Sequence, residues 1–241
     1  MKKILFLTHE NIELTAVAKA MLYDLIIEVK DIFDCTLISA EKKQDCYRDK
    51  NDLNRFSFKR NSQGLISLKD LVNLLLSSIT IAKYIFKSDV IFFRSYPMIM
   101  LFGLIAFVMK KKIVFDTRGL FFEELFDSGK VKNRVLRKLF FLLEKLLLNI
   151  SDKVICVSGK QKEYYLTAVE SDSKYLVFYN STVKPSNLDT IKNRVSGMLY
   201  ICYVGSLVKW HCPEKMSAIV ASLQSRNLSF EFHCITRDIG I

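Results

Sequence analysis

The chain has 241 residues, half of them hydrophobic, with only 8 Gly and 3 Pro, which excludes a disordered or low-complexity protein and supplies apolar mass for one large core or one and a half smaller ones. Thirty-six Lys and Arg against 25 Asp and Glu leave a net charge of +11, favouring a polyanionic partner: a phosphorylated ligand, an anionic membrane surface or nucleic acid. Six cysteines form no C-x-x-C pair, and Cys35, Cys156, Cys202 and Cys234 fall inside apolar strand-like runs, as expected of small hydrophobes in a reducing compartment.

The first apolar run ends at Leu7, before Thr8-His9-Glu10, so Lys3–Thr8 reads as a first strand and not as a signal peptide. Residues 14–30 carry apolar side chains at helical spacing (Val17, Met21, Leu22, Leu25, Ile26, Val29), and 35–38 is a short β-branched strand. The charged stretch 41–60 reads as a loop with one irregular strand near 56–58. Residues 68–86 form a long amphipathic helix, and 89–95 a buried strand with a polar exit. Pro97 starts the next helix, because its missing N–H is harmless in a first turn. A strand and exit loop over 112–119, a helix over 131–150, a strand over 153–158, a helix over 160–169 and a strand over 175–179 follow.

Strands alternating with helices of this length predict an α/β fold with a doubly wound parallel sheet over residues 1–183. Residues 184–197 turn polar and read as a linker. A strand at 199–207 then opens a second α/β unit over 198–241, and two strands with one helix are too few for an independent domain. Ligands of such sheets bind at the carboxyl ends of strands. The positions to watch are therefore His9 and Glu10, Arg94, Asp116 to Gly119, Ser158 and Asn180.

Residues 96–109 are almost wholly apolar and precede three lysines, Lys110 to Lys112, yet fall short of the roughly 20 residues a bilayer span needs. They read either as a helix packed on the sheet or as a surface that dips into lipid. In the helix over 131–150, Lys130, Arg134, Arg137, Lys138 and Lys145 form a basic face beside the apolar run 139–143, which fits lipid headgroups and bulk water equally well.

Three histidines far apart in sequence and the absence of H-E-x-x-H or paired cysteines predict no metal site. No G-x-S-x-G, no phosphate-binding P-loop and no G-x-G-x-x-G occurs, which removes the dinucleotide-dependent oxidoreductases. The aromatics lie in strand and helix cores, so no nucleic-acid partner is expected. What remains is charge at strand exits. Asp116-Thr-Arg118-Gly with Glu123 and Glu124 puts both signs near one ligand-binding edge, where an Arg fork can hold a phosphate or a sugar hydroxyl and a carboxylate can accept from hydroxyls. An internal Asp–Arg pair that merely orders the loop explains the same residues. Gly205 permits close backbone approach after a strand, and Lys209 adds a point charge near the next helix.

In order, "DVIFFRS", "KIVFDTRG…FFEE", "SDKVICVSGKQKEYY", "VFYNSTV" and "ICYVGSLVKW" resemble bacterial family 4 glycosyltransferases of the GT-B fold, of the surface-polysaccharide type, over essentially the whole chain. The resemblance implies an acceptor-side Rossmann-like domain followed by a donor-binding one. It also implies metal-free transfer with retention of configuration, from a nucleotide-sugar to a lipid-linked glycan. It gives Gly205 and Ser206 the donor diphosphate, Lys209 its charge, and Asp116 and Arg118 the reacting sugar and acceptor. His9, Glu10, Arg94, Glu123, Glu124, Ser158 and Asn180 would stand on the acceptor side.

This chain departs from the family in Thr8-His9-Glu10-Asn11-Ile12, where a Gly-Gly loop is usual, and in Asn180-Ser181 in place of Asn-Gly. The family's two glutamates spaced eight apart would lie beyond Ile241. The expectation is thus a truncated or interrupted copy, or one part of a two-chain enzyme that a complementary chain would complete, inactive alone and placed in the cytoplasm or against the inner face of the membrane. The alternative is a non-catalytic, membrane-associated or partner-binding remnant of the same fold.

Overall fold

A computed structural model describes residues 1–12, 19–41, 45–48, 51–59, 68–129, 133–179, 198–204 and 213–235. The chain divides into two compact units, Met1–Phe122 with Arg134–Thr182, and Glu123–Asn133 with Val183–Ile241. The predicted linker, 184–197, lies outside the described residues.

In the first unit β1 (Lys3–Thr8) leads to α1, a π-wound turn (Lys19–Tyr23) continuing as an α-helix (Asp24–Val29), and then to β2 (Asp34–Glu41). β3 (Asp45–Arg48) and β4 (Asn54–Lys59) precede the long helix α2 (Leu68–Lys87) and β5 (Val90–Arg94). Helix α3 (Tyr96–Val108), β6 (Lys112–Asp116), the short α4 (Phe121–Asp127), which starts in this unit and belongs to the second from Glu123 onward, and α5 (Arg134–Ile150) come next. β7 (Lys153–Cys156), α6 (Gly159–Ala168) and β8 (Tyr175–Val177) complete the unit.

The eight strands lie in the order β3-β4-β2-β1-β5-β6-β7-β8, parallel except for β3, which pairs antiparallel with β4 at one edge. The chain winds from β1 towards β2 through α1, and from β4 back across to β5 and onward through α2, α3, α5 and α6. Right-handed crossovers therefore put α1 on one face and the other four helices on the opposite face. Period-2 alternation sorts the strand side chains accordingly. Phe6, Cys35 and Leu37 pack with Leu22 and Ile26 of α1, while Leu5, Leu7, Ile91 and Phe93, pointing the other way, are fully buried. The doubly wound parallel α/β sheet expected from the sequence is what forms.

Residues 41–60 are a correction. They contain two strands, and β4 is a regular interior strand paired in parallel with β2 from Asn54 to Lys59. Its interior position, buried on both faces, is hidden in the sequence by the polar Arg55 and Ser57, both buried, Arg55 because its guanidinium meets Glu41 at 2.6 Å. α4 was not anticipated either: seven residues show too little period, and the Phe121 and Phe122 rings are held by stacking and edge contacts with Tyr96 and Phe140.

In the second unit β9 (Leu199–Val204) and β10 (Phe230–Ile235) form a parallel pair joined through α7 (Pro213–Ser225), and neither strand buries a residue. Cys202 and Cys234 are accordingly exposed, against expectation, whereas Cys35 and Cys156 are buried. Among the described residues no second layer covers this two-stranded pair. Among the described residues no helix is long and apolar enough to cross a membrane.

Candidate functional site

Winding runs in opposite directions from β1 and β5, so the switch point of the sheet lies between these two strands, where open α/β sheets place their crevice. Register sets Thr8 beside Arg94, and Arg94 beside Asp116, at the carboxyl ends of β1, β5 and β6. Three neighbouring strands thereby bring residues spread over 109 positions of sequence, Thr8 to Asp116, to one edge.

Arg94 lies at the centre, with no exposed surface. Its Nε donates to Glu10 Oε2 at 2.6 Å and its Nη1 to Asp116 Oδ2 at 3.2 Å. Nη2 of Arg94 and Oδ1 of Asp116 are buried without a hydrogen-bond partner among the described residues. Burial raises the Asp116 carboxyl above its ordinary value, and the pull of the Arg94 and Arg118 guanidinia only partly offsets this. Arg118 is lowered by burial and then by the repulsion of Arg94. The site thus has a buried floor, Arg94 and Asp116, and a half-exposed rim of His9, Glu10 and Arg118. Its four charged groups are two guanidinia and two carboxylates.

The backbone at this edge is strained. Ser95 has φ 86° and Arg118 φ 60°, a region that side-chain-bearing residues avoid at about 1–3 kcal/mol each. The Ser95 conformation is held from outside. Ser95 N donates to Asp116 O at 3.0 Å, and Ser95 Oγ lies 2.5 Å from His9 Nδ1. At Arg118 the positive φ turns the chain away from the strand direction two residues after Asp116.

Beneath the exit loop runs a buried polar network. Thr117 Oγ1 donates to Ile155 O and accepts from Gln161 Nε2 at 3.0 Å. Tyr165 reaches Gly119 O at 3.2 Å, its hydroxyl stands 2.7 Å from that of Tyr96, and Tyr96 donates to the buried Glu144 at 2.6 Å. Helices α3, α5 and α6 are thereby tied to the loop that carries Arg118. None of these supports was singled out from the sequence. One had a signal: Ser158-Gly-Lys-Gln161 matches a capping box, and Gln161 N does donate to Ser158 Oγ at 3.2 Å while Gln161 Oε1 accepts from Val157 N.

Of the residues expected at the site, His9, Glu10, Arg94, Asp116 and Arg118 come together. The Asp–Arg pair forms, but between Asp116 and Arg94 and not within the exit loop, where Arg118 Nη2 instead reaches Met21 Sδ at 3.2 Å. Ser158 uses its hydroxyl to cap α6. Glu123 and Glu124 stand on the first turn of α4, not in a loop, and fall in the second unit; burial raises the Glu124 carboxyl. Asn180, Gly205, Ser206 and Lys209 lie outside the described residues. A cavity of about 460 Å³ opens at the opposite, amino edge beside Lys3, Lys30, Asp34 and Asn51, and includes none of the expected site residues. Among the described residues no three His, Cys, Asp or Glu side chains are gathered as metal ligands.

Sheet order and crossovers define a doubly wound, Rossmann-like α/β domain. Among solved structures, the lipopolysaccharide outer core galactosyltransferase WaaB superposes with a TM-score of 0.59 at 13% identity, over 98% of this chain and 61% of its own. The Anabaena protein HepE, solved with UDP and glucose, gives 0.52 at 14%, over 99% and 70%. Sucrose-phosphate synthase from Thermosynechococcus elongatus gives 0.52 at 13%, over 98% and 71%. The chain thus spans only part of each, and at these identities the likeness is one of fold. No protein-family model and no curated protein matches it.

Proposed function

We propose that this chain forms the acceptor-side half, with the beginning of the donor-binding half, of a retaining glycosyltransferase. The donor would be a nucleotide-sugar and the acceptor a lipid-linked glycan in bacterial surface-polysaccharide synthesis. The observation that carries this is the charge-balanced cluster of Glu10, Arg94, Asp116 and Arg118 at the switch point. Arg94 is neutralised by two carboxylates, so the cluster favours an uncharged, hydroxyl-rich ligand over a phosphate. Glu10 accepts from hydroxyls, and the Arg118 guanidinium donates to them. Solved proteins of the same fold include one with UDP and glucose bound and one named as a galactosyltransferase, in line with this reading.

In this mechanism Arg94 is a positioning residue: being wholly buried, it reaches a ligand only by orienting Glu10 and Asp116. Arg118, aimed by its left-handed backbone, touches the reacting sugar or acceptor, with the Asp116 carboxylate as a nearby counter-charge. Gly205 and Ser206 approach the donor diphosphate through backbone groups, with Lys209 as its counter-charge. The donor's sugar and ribose are held by the glutamate pair, so the assay is run with that pair present, on a longer chain or on a second one.

With radiolabelled nucleotide-sugars and lipid-linked acceptors, label enters the lipid fraction. Arg118→Ala lowers kcat/KM about a hundredfold, the scale of losing one transition-state donor. Lys209→Ala acts mainly through donor KM. Failure of the wild-type protein to move label from any nucleotide-sugar would overturn the proposal and favour the non-catalytic alternative.

A further inference from the structure

Helices α2, α3 and α5 lie side by side on one face of the sheet, and their outer surfaces are apolar where a helix on a sheet ordinarily turns charge to water. On α5, Val135, Leu139, Leu142 and Leu146 follow an i, i+4, i+7, i+11 spacing and form a single outward stripe, with Val135 76% and Leu142 61% exposed. The inner face of the same helix is independently occupied by Glu144, Leu147 and Leu148. On α2, Val72, Leu76 and Ile79 repeat the pattern, Leu76 at 75% exposed. On α3, a helix with no charged residue, Leu104, Phe107 and Val108 also point outward. The fourth helix of this layer, α6, shows the ordinary arrangement, exposing Lys160, Glu163 and Thr167. Position in the fold therefore does not explain the apolar surfaces of the other three.

Charge says what meets this face. α5 carries four Lys or Arg and α2 three, against one acidic residue on each, Asp70 and Glu144, and Glu144 is buried in the Tyr96 network. Arg134, Lys138 and Lys145, all exposed, run along α5 immediately beside its apolar stripe, and Lys110 stands exposed just past the end of α3. Apolar stripes flanked by cations, with almost no exposed carboxylate, match a bilayer surface: side chains enter the acyl boundary and ammonium and guanidinium groups meet anionic headgroups.

We propose that the joint outer face of α2, α3 and α5 docks this protein on an anionic lipid surface. The inference is independent of the transferase reading. Because the side chains concerned are already exposed, replacing them leaves the core intact, and circular dichroism of each variant verifies this.

Co-sedimentation of the full chain with vesicles of phosphatidylcholine, alone or mixed with phosphatidylglycerol, tests it. Retention on the mixed vesicles, release by salt and little retention on neutral ones are expected. Arg134→Gln, Lys138→Gln and Lys145→Gln each lower partitioning about fivefold. The pair Leu139→Glu and Leu142→Glu abolishes it, whereas Lys19→Gln, on the opposite face of the sheet, leaves it within twofold. Equal retention on both vesicle types, or retention unchanged in the Leu139/Leu142 double variant, would overturn the proposal. So would a wild-type soluble oligomer that the double variant dissociates, since the face would then be a contact between copies.

Discussion

Arg94 concentrates the physics of the site in one side chain. Its guanidinium is fully buried between Glu10 and Asp116, and replacing it by Met leaves the Asp116 carboxylate buried opposite nothing but Arg118. Breaking a buried pair from one side costs about 3–5 kcal/mol, so Arg94→Met should lower the denaturant midpoint far more than Arg94→Lys, which keeps the charge. Equal midpoints for the two would show that packing, and not pairing, holds Arg94.

Asp152 makes the opposite case, at the amino edge. Burial pushes its carboxyl up, but Lys112 and the Ile113 N–H, at 2.9 and 2.8 Å, outweigh that and hold it below its ordinary value. A depressed carboxylate contributes stability above its unfolded pKa of about 3.9 and loses it as pH falls through the folded value. Asp152→Asn should therefore be less stable than wild type at neutral pH, and the gap should close on acidification below the depressed folded pKa. Urea midpoints of both proteins across that window check it; a gap that stays constant with pH would assign Asp152 a purely neutral hydrogen-bonding role.

At the scale of elements, Gly103 sets how closely α3 approaches α5. A Cβ there would stand 2.8 Å from Ile99 Cγ1 and 3.1 Å from Ile150 Cδ1. The backbone at Gly103 is ordinary helix, so the conflict is steric. Gly103→Ala should destabilise by about 1–3 kcal/mol, the range for overpacking a filled core, and Ile150→Val in the same chain should recover part of it. Thermal unfolding of the single and double variants reads the coupling; strict additivity would show that the two helices do not share this contact.

Helices also mark how far pattern reaches. The 3.6-residue period of α2 and α5 was legible in the sequence because both are long. Seven-residue α4 was not, because its stability comes from Phe121 and Phe122 against Tyr96 and Phe140, rings distant in sequence. β4 failed for a related reason: a buried Arg55 mimics an exposed position until Glu41 is known to face it.

For the whole molecule, the first unit owns an eight-stranded sheet covered on both faces, whereas β9 and β10 bury no residue. A chain ending at residue 183 should therefore remain soluble and unfold in one cooperative transition by circular dichroism, while the full chain should be the more aggregation-prone through Tyr200 and the exposed strand edges. A non-cooperative melt of the shorter chain would show that the first unit depends on the second.

Composition and spacing by themselves determined the class of fold, the number and direction of most strands and the edge at which chemistry gathers. Short apolar runs alternating with helix-period segments admit few sheets, and right-handed crossover chirality selects among them. Spacing also showed a basic, apolar helix over 131–150, but not whether its apolar side faced in or out. That was decided in three dimensions, when Leu147 and Leu148 took the sheet side and left Leu139 and Leu142 outside. The partner of Arg94 was decided there too, because an ion pair spanning 84 residues to Glu10 and 22 to Asp116 exists only once β1, β5 and β6 lie in register. Periodicity is local and survives in the sequence; pairing is set by which strands become neighbours, and that is a property of the assembled sheet.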